Sequence, residues 1–213
     1  MQIEIQEIYC GQNKVFTTRK GKEFDSSYQK SALKNKVYEI DKNGFKLDNQ
    51  SDKENHGGVD KAICAYAFED YAFLEKKYDI SLPSCAFGEN LSISGVNDTD
   101  ICLGDQFQYG EAILEVSQPR QPCWKISSVT GIKKLTALLV KEHKSGFYLR
   151  VLKGGKVTPK DKLILQSRTY PDYTIAFINT ISFDAKNHQE EIKKVLKCKV
   201  LAEAYQDSLQ KRY

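Results

Sequence analysis

The sequence lacks the features that direct a chain into a membrane or out of the cell. Residues 1–5 contain no basic region followed by an apolar run, and an acidic residue occurs among them. No stretch approaches the roughly 18 consecutive apolar residues that a membrane-spanning helix needs. We therefore expect a cytoplasmic protein that has no membrane partner.

Two further absences narrow the classes of function. The six cysteines form no CxxC pair and no cluster with histidine, so the sequence predicts neither a disulfide framework nor a zinc site. The formal net charge is only +4, because 32 basic residues are interspersed with 28 acidic ones, so no nucleic-acid partner is indicated. A GxxxxGK[ST] phosphate loop is also missing, which argues against an ATP-type site.

The patterns that are present indicate a mainly β (α+β) fold. Apolar residues that alternate with polar ones predict strands at 91–93, 107–109, 112–116 and 147–152. Apolar residues at steps of three and four predict an amphipathic helix over 61–78 and another over 132–142. Many short strands with few helices between them favour a barrel over a doubly wound sheet.

The pattern changes after residue 165, where the rest of the chain is predicted to be helical. The three helices are expected at about residues 172–181, 187–197 and 200–211. We therefore predict two units, a β-barrel domain with inserted helices over residues 1–168 and a small C-terminal three-helix module over residues 169–213.

The first candidate site is the segment 55–61, Asn-His-Gly-Gly-Val-Asp-Lys, which leads into the predicted helix. Gly57 and Gly58 permit positive φ angles and a close approach of the backbone to a ligand. A helix N-terminus carries partial positive charge, and Lys61 adds a full charge, so the segment suits an anion such as phosphate. The alternative is an ordinary tight turn with Asp60 as the helix N-cap.

The second candidate is the tripeptide Gly88-Glu89-Asn90 ahead of a predicted strand. It offers a carboxylate and an amide, which together can hydrogen-bond the edge of a heterocycle. The alternative is a solvated loop with a turn glycine.

The third candidate is the segment 117–124, Ser-Gln-Pro-Arg-Gln-Pro-Cys-Trp, which follows a predicted strand. Pro119 and Pro122 restrict the backbone on either side of Arg120, so Cys123 is held on a stiff segment. A nearby guanidinium favours the thiolate, the form that binds metals or attacks electrophiles. The alternative is a buried structural cysteine beside a packing tryptophan.

The three segments, in this order, resemble the MOSC family, the domain also found at the C-terminus of molybdenum cofactor sulfurases. Within that family they are similar to the YiiM-like branch, which is the 6-hydroxylaminopurine reductase type. The resemblance spans about residues 31–165, and the helical tail resembles the three-helix module of this branch. Further matches are Gly44-Phe45-Lys46-Leu47-Asp48, Leu103-Gly104-Asp105 and the strand that begins at Gly146 and contains Arg150.

The resemblance implies a MOSC β-barrel that holds molybdenum on a pterin cofactor. Cys123 matches the family's cysteine and would be both the metal ligand and the catalytic residue. The candidates for contacts with the cofactor, most of them around the pterin phosphate, are His56, Gly57, Gly58, Asp60, Lys61, Asn90, Arg120 and Arg150.

The implied reaction is the reduction of N-hydroxylated small molecules, such as hydroxylaminopurine-type base analogues, to amines. The chain has no flavin, haem or NAD fingerprint, so the electrons would come from a separate reductase of the flavoprotein type. The alternative is a sulfur-carrier or cofactor-handling protein that uses a Cys123 persulfide. A third reading is a barrel that has lost its cofactor. The sequence does not indicate the oligomeric state.

Overall fold

The structure is a computed structural model that describes residues 1–18, 21–34, 37–51 and 57–212. The strands in these ranges are β1 (Gln2–Cys10), β2 (Lys14–Thr17), β3 (Glu23–Ser26), β4 (Ser31–Ala32), β5 (Tyr38–Asp41), β6 (Gly44–Phe45), β7 (Ile63–Ala67), β8 (Leu91–Ser94), β9 (Gln106–Tyr109), β10 (Ala112–Pro119), β11 (Phe147–Lys153), β12 (Gly155–Val157) and β13 (Leu163–Ser167). The α-helices are α1 (Glu69–Tyr78), α2 (Trp124–Thr130), α3 (Leu135–Glu142), α4 (Ile175–Phe183), α5 (Gln189–Val195) and α6 (Glu203–Gln210).

Seven strands close into a barrel in the order β13-β9-β10-β11-β7-β8-β1, and pairing between β13 and β1 completes the ring. Neighbouring strands are antiparallel except for the parallel pair β7–β8, so the barrel is mixed. The short strand β4 pairs with the C-terminal end of β1. Strands β5, β6 and β12 form a separate small sheet. The mainly β barrel with helices around it confirms the predicted fold class.

Side-chain alternation along the strands fills the barrel. In β10, for example, Ala112, Leu114 and Val116 are completely buried and belong to one core cluster with Leu149 of β11 and Ile93 of β8. Burial of such a side chain contributes about 1.5–3 kcal/mol, so this interior is the main source of the barrel's stability.

Two smaller cores attach helices to the outside of the barrel. Tyr66, Leu74, Ile126 and Leu139 lie in the core that joins β7 to α1, α2 and α3. The C-terminal helices share a second core, to which the barrel domain contributes Leu103; its helical members include Ile178, Ile181, Ile192, Val195, Tyr205 and Leu209. No helix in the described ranges has the length and apolarity required to cross a bilayer.

The prediction of one continuous helix over residues 61–78 is wrong in its first half. Residues Val59–Lys61 form one 3-10 turn, β7 follows, and the helix begins only at Glu69. All five residues of β7 are buried, because β11 and β8 flank the strand and side chains cover both of its faces. A strand buried on both faces shows no alternation, so its apolar residues also fit a helical period.

The C-terminal segment contains the three predicted helices, each shorter than expected. The first begins at Ile175 because the Thr174 hydroxyl accepts a hydrogen bond from the Phe177 amide (3.1 Å), which is an N-cap. Helix α2, directly after the cysteine segment, was not predicted. The boundary between residues 168 and 169 stays a prediction.

Candidate active site

A cavity of about 610 Å³, including its open mouth, lies beside the segment that follows β10. Within the described ranges, six separate stretches of the chain contribute to the walls. They are formed by Ser26, Ser27, Tyr28, Lys30, Asp48, Asn49, Gln50, Ser51, Lys61, Ala62, Cys64, Gly88, Asn90, Arg120, Cys123, Lys125 and Tyr148.

Cys123 is the partly exposed cysteine of this protein, whereas the other five cysteines are buried. Strand β10 ends at Pro119, and Cys123 has extended backbone angles (φ −115°, ψ 162°) directly before α2. The Thr136 hydroxyl of α3 donates a hydrogen bond to the Cys123 carbonyl (2.9 Å), which fixes this backbone. The cysteine is therefore held firmly in the cavity wall and remains reachable.

Arg120 supplies a buried positive charge to the same cavity. Its side chain is only 6% exposed, and its backbone N–H donates to the Gly146 carbonyl at 3.0 Å. Arg120 also contacts the hydroxyls of Tyr28 and Tyr148, and burial is the main cause that raises the pKa of both tyrosines, so both stay neutral. Among the described residues, the buried Nη1 of Arg120 has no hydrogen-bond partner.

A buried N–H without an acceptor costs about 1–3 kcal/mol. An acceptor atom on a bound ligand or on a water molecule would remove this cost. Nη1 of Arg120 therefore marks a position at which a bound anion or carbonyl would be stabilised.

The cavity is electrostatically positive. Among the described lining residues, four are cationic (Lys30, Lys61, Arg120 and Lys125), whereas Asp48 is the single acid. Concave sites lined by one sign of charge concentrate ligands of the opposite sign. The cavity consequently suits an anionic ligand.

Asp48 organises one wall of the cavity. Its carboxylate pairs with the Lys30 ammonium at 2.7 Å, and both side chains are 8% exposed. The same carboxylate accepts hydrogen bonds from the Gly11 amide (2.7 Å) and from Nδ2 of Asn90 (2.8 Å). Asp48 is thus neutralised by the protein itself.

Asn90 lies in the wall as a structural residue. Its Oδ1 accepts a hydrogen bond from the Cys64 amide (3.0 Å), and its Nδ2 donates to Asp48 and to the Tyr9 carbonyl (3.2 Å). Both ends of the amide are therefore used within the protein. Its neighbour Glu89 is also buried, and burial raises the pKa of this carboxyl group.

The structure brings together four of the residues singled out from the sequence, namely Lys61, Asn90, Arg120 and Cys123. Arg150 and Asp60 are absent from the described cavity wall, and they pair with each other at 2.8 Å. Gly57 and Gly58 also lie outside that wall, although Gly58 has the positive φ (92°) that was expected. The predicted helix N-terminus is only a 3-10 turn. His56 lies outside the described residues.

Sequence reasoning missed Tyr28, Lys30, Asp48, Cys64, Lys125 and Tyr148 as lining residues. Lys125 could have been identified from the sequence, because it is a cation only two positions from the cysteine. Tyr148 is two positions from Arg150, so the two side chains lie on the same face of β11. Asp48 ends the segment 44–48 that matches the family, but no role was assigned to it. Tyr28, Lys30 and Cys64 lie on segments with no recognisable motif, and only the folded chain brings them to the cavity.

Comparisons with known proteins agree with this architecture. A family model described as MOSC domain matches residues 52–164. The chain is 38% identical over 193 residues to YflK of Bacillus subtilis (strain 168), covering 90% of this chain and 86% of YflK. It is 32% identical over 172 residues to YiiM of Escherichia coli (strain K12), covering 79% and 76% of the two chains.

Among solved structures, YiiM from Geobacillus stearothermophilus superposes with a TM-score of 0.81 at 30% identity, over 99% of this chain and 98% of that one. A more distant relative from Gibberella moniliformis (strain M3125 / FGSC 7600) is named "Reductase". It is 28% identical over 143 residues, which are 63% of this chain and 25% of that protein.

Proposed function

Because this chain belongs to the MOSC family, in its YiiM-like branch, we propose that it is an oxidoreductase that holds a molybdenum–pterin cofactor through Cys123. Its proposed reaction is the reduction of N-hydroxylated small molecules to amines. The observation that supports this most strongly is a partly exposed thiol in a positive cavity, next to a buried guanidinium with an unpartnered Nη1.

The residues of the cavity fit such a group. A soft thiolate is a suitable ligand for molybdenum, and Cys123 would supply it. No group of three or more histidine, cysteine or acidic side chains that could hold a metal occurs in the described ranges, so a metal here would have to arrive with its own organic ligands. Arg120 and Lys61 would hold the anionic end of the pterin, because charge-assisted hydrogen bonds to phosphate are strong.

The cofactor would supply two electrons, and the N–OH group would take up these electrons and two protons to give an amine and water. The chain's own residues bind and orient. Arg120 and the lysines attract an anionic group, and Asp48 holds Lys30 in place. Burial keeps the Tyr148 hydroxyl protonated, so it remains a hydrogen-bond donor in the cavity. The electrons would come from a separate reductase of the flavoprotein type.

The test compares two cysteines of one cavity. The full chain, produced in a host that makes the cofactor, should contain about one molybdenum per chain and reduce 6-hydroxylaminopurine in the presence of a flavoprotein reductase. Cys123→Ala should lose both metal and activity. Cys64→Ala, which removes the buried thiol of the same wall, should keep both.

Three results would overturn the proposal. Molybdenum that stays on the Cys123→Ala variant would exclude the thiolate as the metal ligand. Metal on the wild-type chain without any reduction of an N–OH substrate would favour a cofactor carrier, and a persulfide on Cys123 in the mass spectrum would favour sulfur transfer.

A further inference from the structure

Arg150 ties together three parts of the chain that are far apart in sequence. Its Nε donates to Oδ1 of Asp60 (2.8 Å), its Nη1 donates to Oε1 of Glu115 (3.0 Å), and its Nη2 donates to the carbonyl of Val200 (2.9 Å). These acceptors belong to the 3-10 turn, to strand β10 and to the link between α5 and α6. A guanidinium suits this task because its donors lie in a rigid plane.

The turn that Arg150 holds carries Lys61, one of the four cations of the cavity. A second contact holds the same turn, because the Ser117 hydroxyl donates to the Asp60 carbonyl at 2.5 Å. Ser117 lies in the strand that leads to Cys123. The position of the Lys61 ammonium is therefore coupled to the segment that presents the thiol.

The C-terminal helical module touches this same segment. The Ala202 amide donates to the Ser117 carbonyl (3.1 Å), and Nε2 of Gln121 donates to the Ser208 hydroxyl (2.9 Å). Together with the bond from Arg150 to Val200, these contacts place the module directly behind the strand and loop that end at Cys123.

We infer that Arg150 is a positioning residue: it fixes the turn at Asp60 against β10 and the C-terminal helices, and thereby keeps the Lys61 ammonium at the cavity wall. The reading in which Arg150 binds an anionic ligand directly has less support, because each of its three nitrogens already donates to the protein and two of the acceptors are carboxylates. The inference rests on the proposed function in one respect, because it identifies the residue that positions a cation of the proposed cofactor site.

The test measures the charge at Cys123 without any cofactor. Iodoacetate is an anion and iodoacetamide is neutral, and both alkylate thiols, so the ratio of their rate constants reports the local positive potential. The full chain is produced in a host that does not make the cofactor. Cys123→Ala confirms that the measured reaction occurs at Cys123, since the other five cysteines are buried.

Lys61→Met should lower the iodoacetate-to-iodoacetamide ratio about threefold, the order of magnitude expected for the loss of one unit charge in the wall of a partly hydrated cavity. Asp60→Ala separates the two readings by sign, because alanine removes both the negative charge and the acceptor that Nε of Arg150 uses. Loss of a nearby negative charge should raise the ratio if only Coulomb forces act. If Asp60 serves to hold the turn through Arg150, the ratio should instead fall toward the Lys61→Met value.

Arg150→Lys keeps the charge but cannot reach three acceptors in one plane, so it should also lower the ratio. Lys153→Met, which removes an exposed cation from the same strand, is the matched control and should leave the ratio unchanged. The Asp60→Ala/Lys61→Met double variant should give a ratio no lower than that of Lys61→Met alone, because both changes act through one ammonium.

A ratio that rises in Asp60→Ala, or an Arg150→Lys variant that matches the wild type, would overturn the inference. Thermal unfolding of each variant verifies that it is folded, and Asp60→Ala is the mildest change because the Asp60 side chain is 35% exposed. The ratio is measured without molybdenum, so the inference about Arg150 can be tested even if the proposed reductase activity is not found.

Discussion

Replacing Arg120 with methionine should change the stability of the cofactor-free chain far less than burial alone suggests. The substitution removes contacts with two tyrosine hydroxyls, each worth about 1 kcal/mol. It also removes a buried charge that has no carboxylate within salt-bridge distance in the described part of the chain, and the unpartnered Nη1 with it. Removal of the unpaired buried charge stabilises the folded state and offsets the loss of the two tyrosine contacts. We therefore expect a change of less than about 1 kcal/mol in the free energy of unfolding.

Arg168→Met is the matched control. The Arg168 guanidinium forms two hydrogen bonds to Asp105, at 2.8 and 2.6 Å, and Asp105 is completely buried. Loss of Arg168 leaves that carboxylate without its counter-charge, which typically costs about 3 kcal/mol or more. For a chain of this size the melting temperature should fall by roughly 10 °C, whereas Arg120→Met should shift it by only a few degrees.

The assay is urea unfolding followed by far-ultraviolet circular dichroism, with thermal melts as a second measure. Arg120→Met should at the same time lose the molybdenum that the wild-type chain retains when it is made in a competent host. Equal destabilisation by the two substitutions would refute the reasoning, since it would show that Arg120 serves the fold in the same way as Arg168 and is not kept for a ligand.

Two other predictions concern stability. Desolvation, followed by the charge of Asp70, raises the pKa of buried Asp98 to about 7. Because the folded state holds this proton more tightly than the unfolded state, wild-type stability should fall between about pH 4 and pH 7, and Asp98→Asn should flatten that fall in urea unfolding; an unchanged slope would contradict it. Gly44 has φ +103°, and an added Cβ would lie 2.1 Å from the Ala62 carbonyl oxygen. Gly44→Ala should therefore destabilise by about 3 kcal/mol or more, while Gly58→Ala, which also has a positive φ (+92°) but has no atom of the described residues within 4 Å of the added Cβ, should cost only about 1–2 kcal/mol. Equal costs for the two glycines would show that the contact with Ala62 is not limiting.

The strands of the barrel could be predicted where polar residues stand between apolar ones in the sequence. Strand β10 was placed correctly over residues 112–116, because Glu115 stands between Leu114 and Val116. Strand β7 was assigned to a helix because all of its side chains are buried and leave no period to detect. A strand shows a periodic sequence only if one of its faces is polar, and β7 has no such face.

The candidate site likewise contains residues that the sequence indicates and residues that only the structure reveals. Cys123 and Arg120 were found because two prolines and a cation stand within a few residues of the thiol. Lys30 and Asp48 were not found, since their pairing joins residues from two distant loops. Arg150 is the opposite case. The family resemblance suggested that Arg150 contacts a ligand, but in the folded chain its side chain donates to acceptors that lie 90, 35 and 50 positions away in the sequence.

What the amino-acid order determined by itself is the stiff, cationic surroundings of one cysteine, because prolines and neighbouring charges act over a few bonds. What only the tertiary structure decided is which cations share a cavity with that cysteine. Closure of the barrel brings six separate stretches to one hollow, and the direction in which a side chain points from a strand depends on the register of that strand with its neighbours.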